Sequence, residues 1–113
     1  MSISGSPLVK GLNFDLPIFL APMAGFTDSP FRSLVKEFGA GAVFTEMVST
    51  MGLKYVNQRT KDLLRFTDTE HPIFAQLFGN DVLPFECAAK NVAEMGFDGI
   101  DINAGCPAKD IIY

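Results

Sequence analysis

Cys106 lies between a glycine and a proline in the run Asp101-Ile102-Asn103-Ala104-Gly105-Cys106-Pro107. Gly105 lets the backbone approach a ligand closely and Pro107 stiffens the turn, which holds a thiol at the mouth of a site rather than inside a core. A thiol with the ordinary pKa near 8.5 is mostly protonated at neutral pH, so Cys106 can donate a proton as well as act as a nucleophile. The plainer alternative is an inert small hydrophobe. Asp101 and Asn103 alternate with Ile100 and Ile102, so if the isoleucines face helices, both polar side chains point into the barrel that such strands would close. A buried amide without a partner costs roughly 1–3 kcal/mol there. Asp101 is expected to be held by backbone amides of a neighbouring loop in preference to a catalytic role, and Asn103 is a candidate for ligand binding. Gln76 offers two donors and an acceptor, suited to the edge of a planar heterocycle. Pro22-Met23-Ala24 sets small or fixed backbone beside a polarizable thioether, suited to lining a flat ring. Cys87 falls inside a helical pattern and is expected to be buried packing. Arg59, Lys61 and Arg65 read as a solvated basic face.

Four apolar runs deliver these residues. Residues 17–21 lead into Pro22-Met23-Ala24-Gly25, residues 42–44 into Thr45-Glu46, residues 73–75 into Gln76, and residues 99–102 into Asn103 and the cysteine loop. Parallel strands covered on both faces read as nearly continuous apolar runs, so polar residues repeated at one end mark a common mouth. Between the first two runs, Thr27-Asp28-Ser29 offers N-cap oxygens, Pro30 suits the first helical turn, and Gly39 suits a left-handed C-cap. Phe31, Leu34, Val35 and Phe38 give that helix one apolar face. A second helix is capped by Asn80 or Asp81, has Pro84 in its first turn, turns Phe85, Ala88, Ala89 and Val92 inward, and ends at Gly96. The stretch from Met47 to Phe66 is expected to hold short helices over Met51 to Val56 and Arg59 to Arg65, and Leu8 to Asp15 a short hairpin that plugs the barrel bottom. This βα order predicts an α/β fold with right-handed crossovers, a partial (β/α)8 TIM barrel of about four N-terminal βα units. A complete barrel takes about 250 residues. An open doubly wound sheet competes, but the first loop lacks the Gly-x-Gly-x-x-Gly spacing.

Composition narrows the classes. With 113 residues and 48% of them hydrophobic, the chain can bury a core and suits one domain. A net charge of −4 gives no basic stripe for nucleic acid. No apolar run approaches a membrane span, and Met1-Ser2-Ile3-Ser4-Gly5 lacks the features of a signal peptide, so no membrane partner and a cytoplasmic location are expected. Two cysteines and a single histidine form no metal spacing, so no metal is expected.

Taken together, Ala21-Pro22-Met23-Ala24-Gly25-Phe26-Thr27-Asp28, Phe31-Arg32, Thr45-Glu46-Met47, Gln76-Leu77-Phe78-Gly79 and Asp101-Ile102-Asn103-Ala104-Gly105-Cys106-Pro107-Ala108-Lys109 resemble the tRNA-dihydrouridine synthase family, in its order and over nearly the whole chain. The resemblance implies an FMN-containing TIM barrel, followed by a helical tRNA-binding domain, that reduces uridine in tRNA to 5,6-dihydrouridine with NADPH. Residues 1–113 would then be the N-terminal half of the catalytic barrel, without its C-terminal half or the helical domain. By the same resemblance Cys106 is the catalytic proton donor, Pro22, Met23 and Ala24 line the flavin, Gln76 hydrogen-bonds it, and Asn103 lies beside flavin and uracil, so that Asn103 and Cys106 also contact substrate. The chain departs from the family after Lys109, where Asp110 stands in place of a further basic residue. A half site implies weak FMN binding and an inactive isolated chain. Two alternatives stay open: a flavin-dependent oxidoreductase of free dihydropyrimidines, and a non-catalytic half barrel that self-associates through open strand edges.

Overall fold

The computed structural model describes residues 11–55 and 57–106. The elements, in chain order, are helix α1 (Ser29–Glu37), strands β1 (Val43–Phe44) and β2 (Val48–Ser49), helices α2 (Thr50–Lys54) and α3 (Gln58–Leu63), a 3-10 turn (Asp68–Glu70), strand β3 (Ile73–Phe78), helix α4 (Val82–Glu94) and strand β4 (Gly99–Ile102). All strand pairs are parallel: β1 and β2 lie along one edge of β3 and β4 along the other. A single parallel bridge, Phe19 to Ala42, adds residues 17–21 beyond β1. The sheet is therefore α/β and parallel, with successive segments side by side, consistent with a partial TIM barrel.

The expected first strand is thus reduced to that bridge, flanked by bonds from Leu20 N–H to the Ala42 carbonyl (3.0 Å) and from Gly41 N–H to the Ile18 carbonyl (2.8 Å). The second expected strand is interrupted. Four residue steps separate Phe44 from Val48 but three separate their partners Phe74 and Leu77, so one extra residue bulges between β1 and β2. The third runs on through Phe78, which puts Gln76 inside β3 and not at its end, because β2 and β4 pair with its last residues. Helices α2 and α3 fall within two residues of expectation. Of the expected hairpin, residues 8–10 lie outside the described residues, as do Val56 and the sequence after Cys106.

Alternation divides the sheet into two faces. Val43, Val48, Ile73, Ala75 and Leu77 are buried with Ala88 and Val92 of α4, Leu53 of α2, and Leu64 and Phe97. Ile100 and Ile102 share that face by register, opposite Ala75 and Leu77, yet they are 36% and 64% exposed. Helix α4 sits over β3 through Ala88 and Val92 and leaves them open. On the opposite face Phe14, Phe19, Phe44 and Phe74 form a row with ring centroids 4.9, 6.4 and 5.1 Å apart. Gly99 makes room for it: a Cβ there would meet the Phe74 ring at 2.4 Å. Gln76 and Asp101 continue this face beyond the aromatic row.

Helix α1 starts and stops as its sequence dictates. Asp28 accepts the Phe31 N–H at 3.0 Å, Pro30 stands in the first turn, and Gly39 takes φ +96°. Its packing differs from expectation. Phe31, Leu34 and Phe38 are 37%, 50% and 84% exposed, whereas Arg32 is 1% exposed. The reason is a polar anchor. Arg32 Nε lies 2.6 Å from Glu70 Oε1, and its two terminal nitrogens donate to the carbonyls of Thr27 and Arg65 at 2.6 Å each. Glu70 is 0% exposed and also accepts from Ser29 Oγ and the Thr67 N–H. Breaking a buried pair by removing one partner typically costs about 3–5 kcal/mol, since the other charge stays desolvated. Glu70→Gln is accordingly expected to lower the unfolding free energy by about 3–5 kcal/mol in urea titration. Lys90→Ala, which cuts the exposed Lys90–Glu86 pair at 2.7 Å, should leave the midpoint nearly unmoved.

Candidate functional site

Three side chains singled out by their types meet at one end of the sheet. Gln76 and Asp101 are register partners across β3 and β4, and Gln76 Nε2 donates to Asp101 Oδ2 at 2.6 Å. Asn103 Nδ2 donates to Gln76 Oε1 at 3.3 Å. Asn103 Oδ1 in turn accepts the backbone N–H groups of Gly105 (3.2 Å) and Cys106 (3.1 Å). The asparagine thus closes an Asx-type turn that curls the cysteine back toward the strand ends. Gln76 is 8% exposed, while Asn103 and Cys106 are half-buried, so the group sits at a rim and not in the core. The expected partners of Asp101 were backbone amides. The structure gives it the Gln76 carboxamide instead, because parallel register sets the two side chains opposite each other on one face.

The Pro22-Met23-Ala24 segment belongs to a separate loop beside the same sheet end. Thr27 Oγ1 accepts the Met23 N–H at 3.1 Å and donates to the Met23 carbonyl at 3.2 Å, closing the turn locally. Gly25 has φ +84°, a conformation L side chains rarely adopt, and its N–H donates to Glu46 Oε1. Glu46 comes from the bulge after β1, so the extra residue is what brings its carboxylate to the loop. The neighbouring Thr45 is fully buried, and its Oγ1 accepts the Gln76 backbone N–H at 3.1 Å, a bond the interrupted ladder would otherwise leave unmade. Pro22 is half-buried, and Met23 and Ala24 are exposed, Met23 to 41%. Beside this loop opens a cleft of about 450 Å³ lined by Ala24, Glu46, Ser49, Arg59, Thr60 and Phe78 among others. Arg59 therefore borders a cleft, whereas Arg65 pairs with Asp62 at 3.0 Å on the exposed surface.

Residues 19–113 match the dihydrouridine synthase (Dus) family. That span holds every candidate site residue. This chain belongs to the dihydrouridine synthase family. It is 47% identical over 105 residues, 91% of its own length, to a probable tRNA-dihydrouridine synthase of Rhodobacter capsulatus. It is 41% identical over 83% of its length to a probable tRNA-dihydrouridine synthase of Helicobacter pylori, and 44% identical over 83% to tRNA-dihydrouridine synthase B of Pseudomonas putida. The chain spans about a third of the length of these relatives, between 28% and 32%.

In this dihydrouridine synthase segment, hydrogen bonds join Gln76, Asn103 and the Cys106 backbone into one group. Among the described residues Pro22, Met23 and Ala24 make no hydrogen bond to that group; their loop is tied to Glu46 through the Gly25 N–H, and Ala24 and Glu46 border the neighbouring cleft. Cys87 is exposed, contrary to expectation, because Phe85, Ala88 and Val92 define the inner face of α4 and Cys87 falls on the outer one. Both cysteines are free thiols. Among the described residues no cluster of three or more His, Cys, Asp or Glu side chains is placed to hold a metal, and no helix is long and apolar enough to cross a membrane. Sequence reasoning missed the roles of Thr45 and Glu46 as supports. Their position just after an apolar run was the available signal, but a bulge has no signature of its own in a run this short. Thr45→Val is nearly isosteric and leaves the Gln76 N–H buried without an acceptor, so it should cost about 1–3 kcal/mol of unfolding free energy. Urea titration checks this, and a wild-type value would remove Thr45 as the support of Gln76.

Proposed function

We propose that this chain is the N-terminal part of the catalytic barrel of an FMN-dependent tRNA-dihydrouridine synthase, which reduces uridine to 5,6-dihydrouridine in tRNA with NADPH in the cytoplasm. The observation that carries the reading is the Asn103 side chain, which ties the Gln76 carboxamide and the Cys106 loop into one rim, within a family whose relatives bear the tRNA-dihydrouridine synthase name. The donor set fits a flat heteroaromatic group. Gln76 and Asn103 carry side-chain N–H groups beyond those spent on each other and on Asp101, and the exposed Met23 thioether and small Ala24 offer a polarizable edge. When bound, FMN supplies the hydride-transfer chemistry.

The rest of the work falls to the chain's own residues. Cys106 holds a proton on Sγ and delivers it to C5 of the uracil, next to C6, the carbon that accepts hydride, so that the C5–C6 double bond becomes single. The Asn103 turn fixes the backbone of the cysteine loop, so only the Cys106 side chain has to be ordered during the reaction. Pro22, Met23 and Ala24 would line the flavin, Gln76 would donate a hydrogen bond to it, and Asn103 would lie beside both flavin and uracil. A uracil ring is reached only after extrusion from the stack, into a pocket open on one side.

A swap tests this. Residues 19–106, placed in the Rhodobacter capsulatus relative in place of its matching segment, are expected to support dihydrouridine formation in a tRNA transcript with NADPH. Cys106→Ala in the same chimera should lower turnover about 10²–10⁴-fold, the range for losing a general acid. A chimera that folds and binds flavin but forms no dihydrouridine would sink the proposal. So would one that reduces free uracil in preference to tRNA.

One observation favours a second property of the isolated chain. Ile18, Phe31, Leu34, Phe38, Ile100 and Ile102 are all exposed large apolar side chains, and β4 is an open edge among the described residues. The 113-residue chain alone should therefore self-associate, retain little FMN and leave tRNA unreduced. Sedimentation velocity, visible absorbance and a dihydrouridine assay give the three readouts. A colourless oligomer without activity is expected, and a yellow, active monomer would overturn it.

A further inference from the structure

We infer that Asp101 is a positioning residue: its carboxylate sets the donor and acceptor order of two carboxamides and through them holds the loop that carries Cys106. A carboxylate only accepts hydrogen bonds, whereas a carboxamide can present either end. With Asp101 Oδ2 at 2.6 Å, the Gln76 side chain must turn its nitrogen toward β4, which leaves Oε1 facing Asn103. Asn103 must then turn Nδ2 to that oxygen, at 3.3 Å, and only this orientation leaves Oδ1 free for the N–H groups of Gly105 and Cys106. The reversed order would set the Asn103 amino group against those two N–H groups, donor against donor, and the turn would open. Every link downstream is neutral, so the one charge-assisted bond is the strongest in the chain of contacts and decides its direction. The side-chain hydrogens that Gln76 and Asn103 have left are all donors. The Gln76 and Asn103 side chains therefore turn their remaining N–H groups toward a ligand edge that carries acceptors, such as carbonyl oxygens or unprotonated ring nitrogens, while Asp101 Oδ1 keeps its capacity to accept. The bearing of this order on catalysis rests on the reading above, but the order itself requires neither cofactor nor RNA.

Two measurements on the chain test it. In the wild type, the Gln76 side-chain proton directed at Asp101 is expected to exchange with solvent at least about tenfold more slowly than the amide of Gln58, whose 3.0 Å bond to Asp62 lies on the exposed surface. Equal rates would overturn the inference, and no variant is needed. The second measurement uses exposed Cys87 as an internal reference for half-buried Cys106. Asp101→Asn keeps the size but lifts the constraint on polarity, and should raise the ratio of Cys106 to Cys87 alkylation by N-ethylmaleimide about fivefold, the worth of one hydrogen bond. Asp101→Glu keeps an acceptor-only head and should hold the wild-type ratio. Backbone amides of Ala88 and Val92 should stay protected in both variants, which separates a local reorientation from general loosening. An unchanged ratio in Asp101→Asn, or equal shifts in both variants, overturns the inference. A chimera without dihydrouridine activity would leave these results untouched, so the two proposals fail separately.

Discussion

The buried ion pair between Arg32 and Glu70 is the constraint on which the site loop rests. A guanidinium and a carboxylate at 1% and 0% exposure have lost their hydration, and Coulomb attraction repays that loss only when the remaining donors and acceptors are also satisfied. Here they are. Arg32 spends its other donors on the carbonyls of Thr27 and Arg65, and Glu70 collects Ser29 and Thr67. Two segments far apart in sequence, residues 27–32 and 65–70, are thereby forced to converge. An apolar cluster in the same place would pack as tightly, but it would not specify which carbonyls face it.

That specificity propagates upward to the rim. Thr27 gives its carbonyl to Arg32 and its hydroxyl to both backbone groups of Met23, so the buried pair fixes one end of the Met23–Thr27 turn. Glu46 fixes its middle through the Gly25 N–H. On the neighbouring strand, Thr45 satisfies Gln76 from the backbone side while Asp101 does so from the side-chain side. Adjacent residues of one bulge, Thr45 and Glu46, therefore support two different parts of the rim. A regular strand would turn these neighbours to opposite faces and give both backbones to the ladder, so the extra residue is what makes the double support possible.

Much of this was legible in the residues, and the failures share a cause. Helix limits could be read because their signals are local: Asp28, Pro30, Gly39, Pro84 and Gly96 act within a turn of themselves, whereas Asp81 holds the N-cap position of α4 without a side-chain bond to its first turn. The rim could be read because polar residues that end apolar runs are costly unless they are used. Strand lengths could not, since pairing depends on partners far away in sequence: residues 17–21 keep only the Phe19–Ala42 bridge, and β3 runs past Gln76 because β2 and β4 meet it there. The apolar stripe of α1 pointed away from the answer for a similar reason. Periodicity records which face is greasy, but Arg32 found a desolvated partner 38 residues on and turned its own face inward. Nothing near Glu70 announces such a burial. Cys87 shows the same limit on a small scale, for one helical step decides whether a thiol is core or surface.

Close packing explains why the end of β3 reads Gln76-Leu77-Phe78-Gly79. A Cβ on Gly79 would lie 2.2 Å from Thr50 Oγ1, well inside contact distance, so α2 can seat its first residue against the strand end only because position 79 has no side chain. Thr50 follows directly on β2, whose Ser49 caps α2 through the Gly52 N–H at 3.2 Å. Seating α2 there places Leu53 in the core and presents Ser49 and Gly52 to the cleft that Ala24 and Glu46 share. The glycine is therefore not a flexible joint in this loop. It is the point at which the helix layer meets the end of β3, and a side chain at that position would force Thr50, the first residue of α2, to shift.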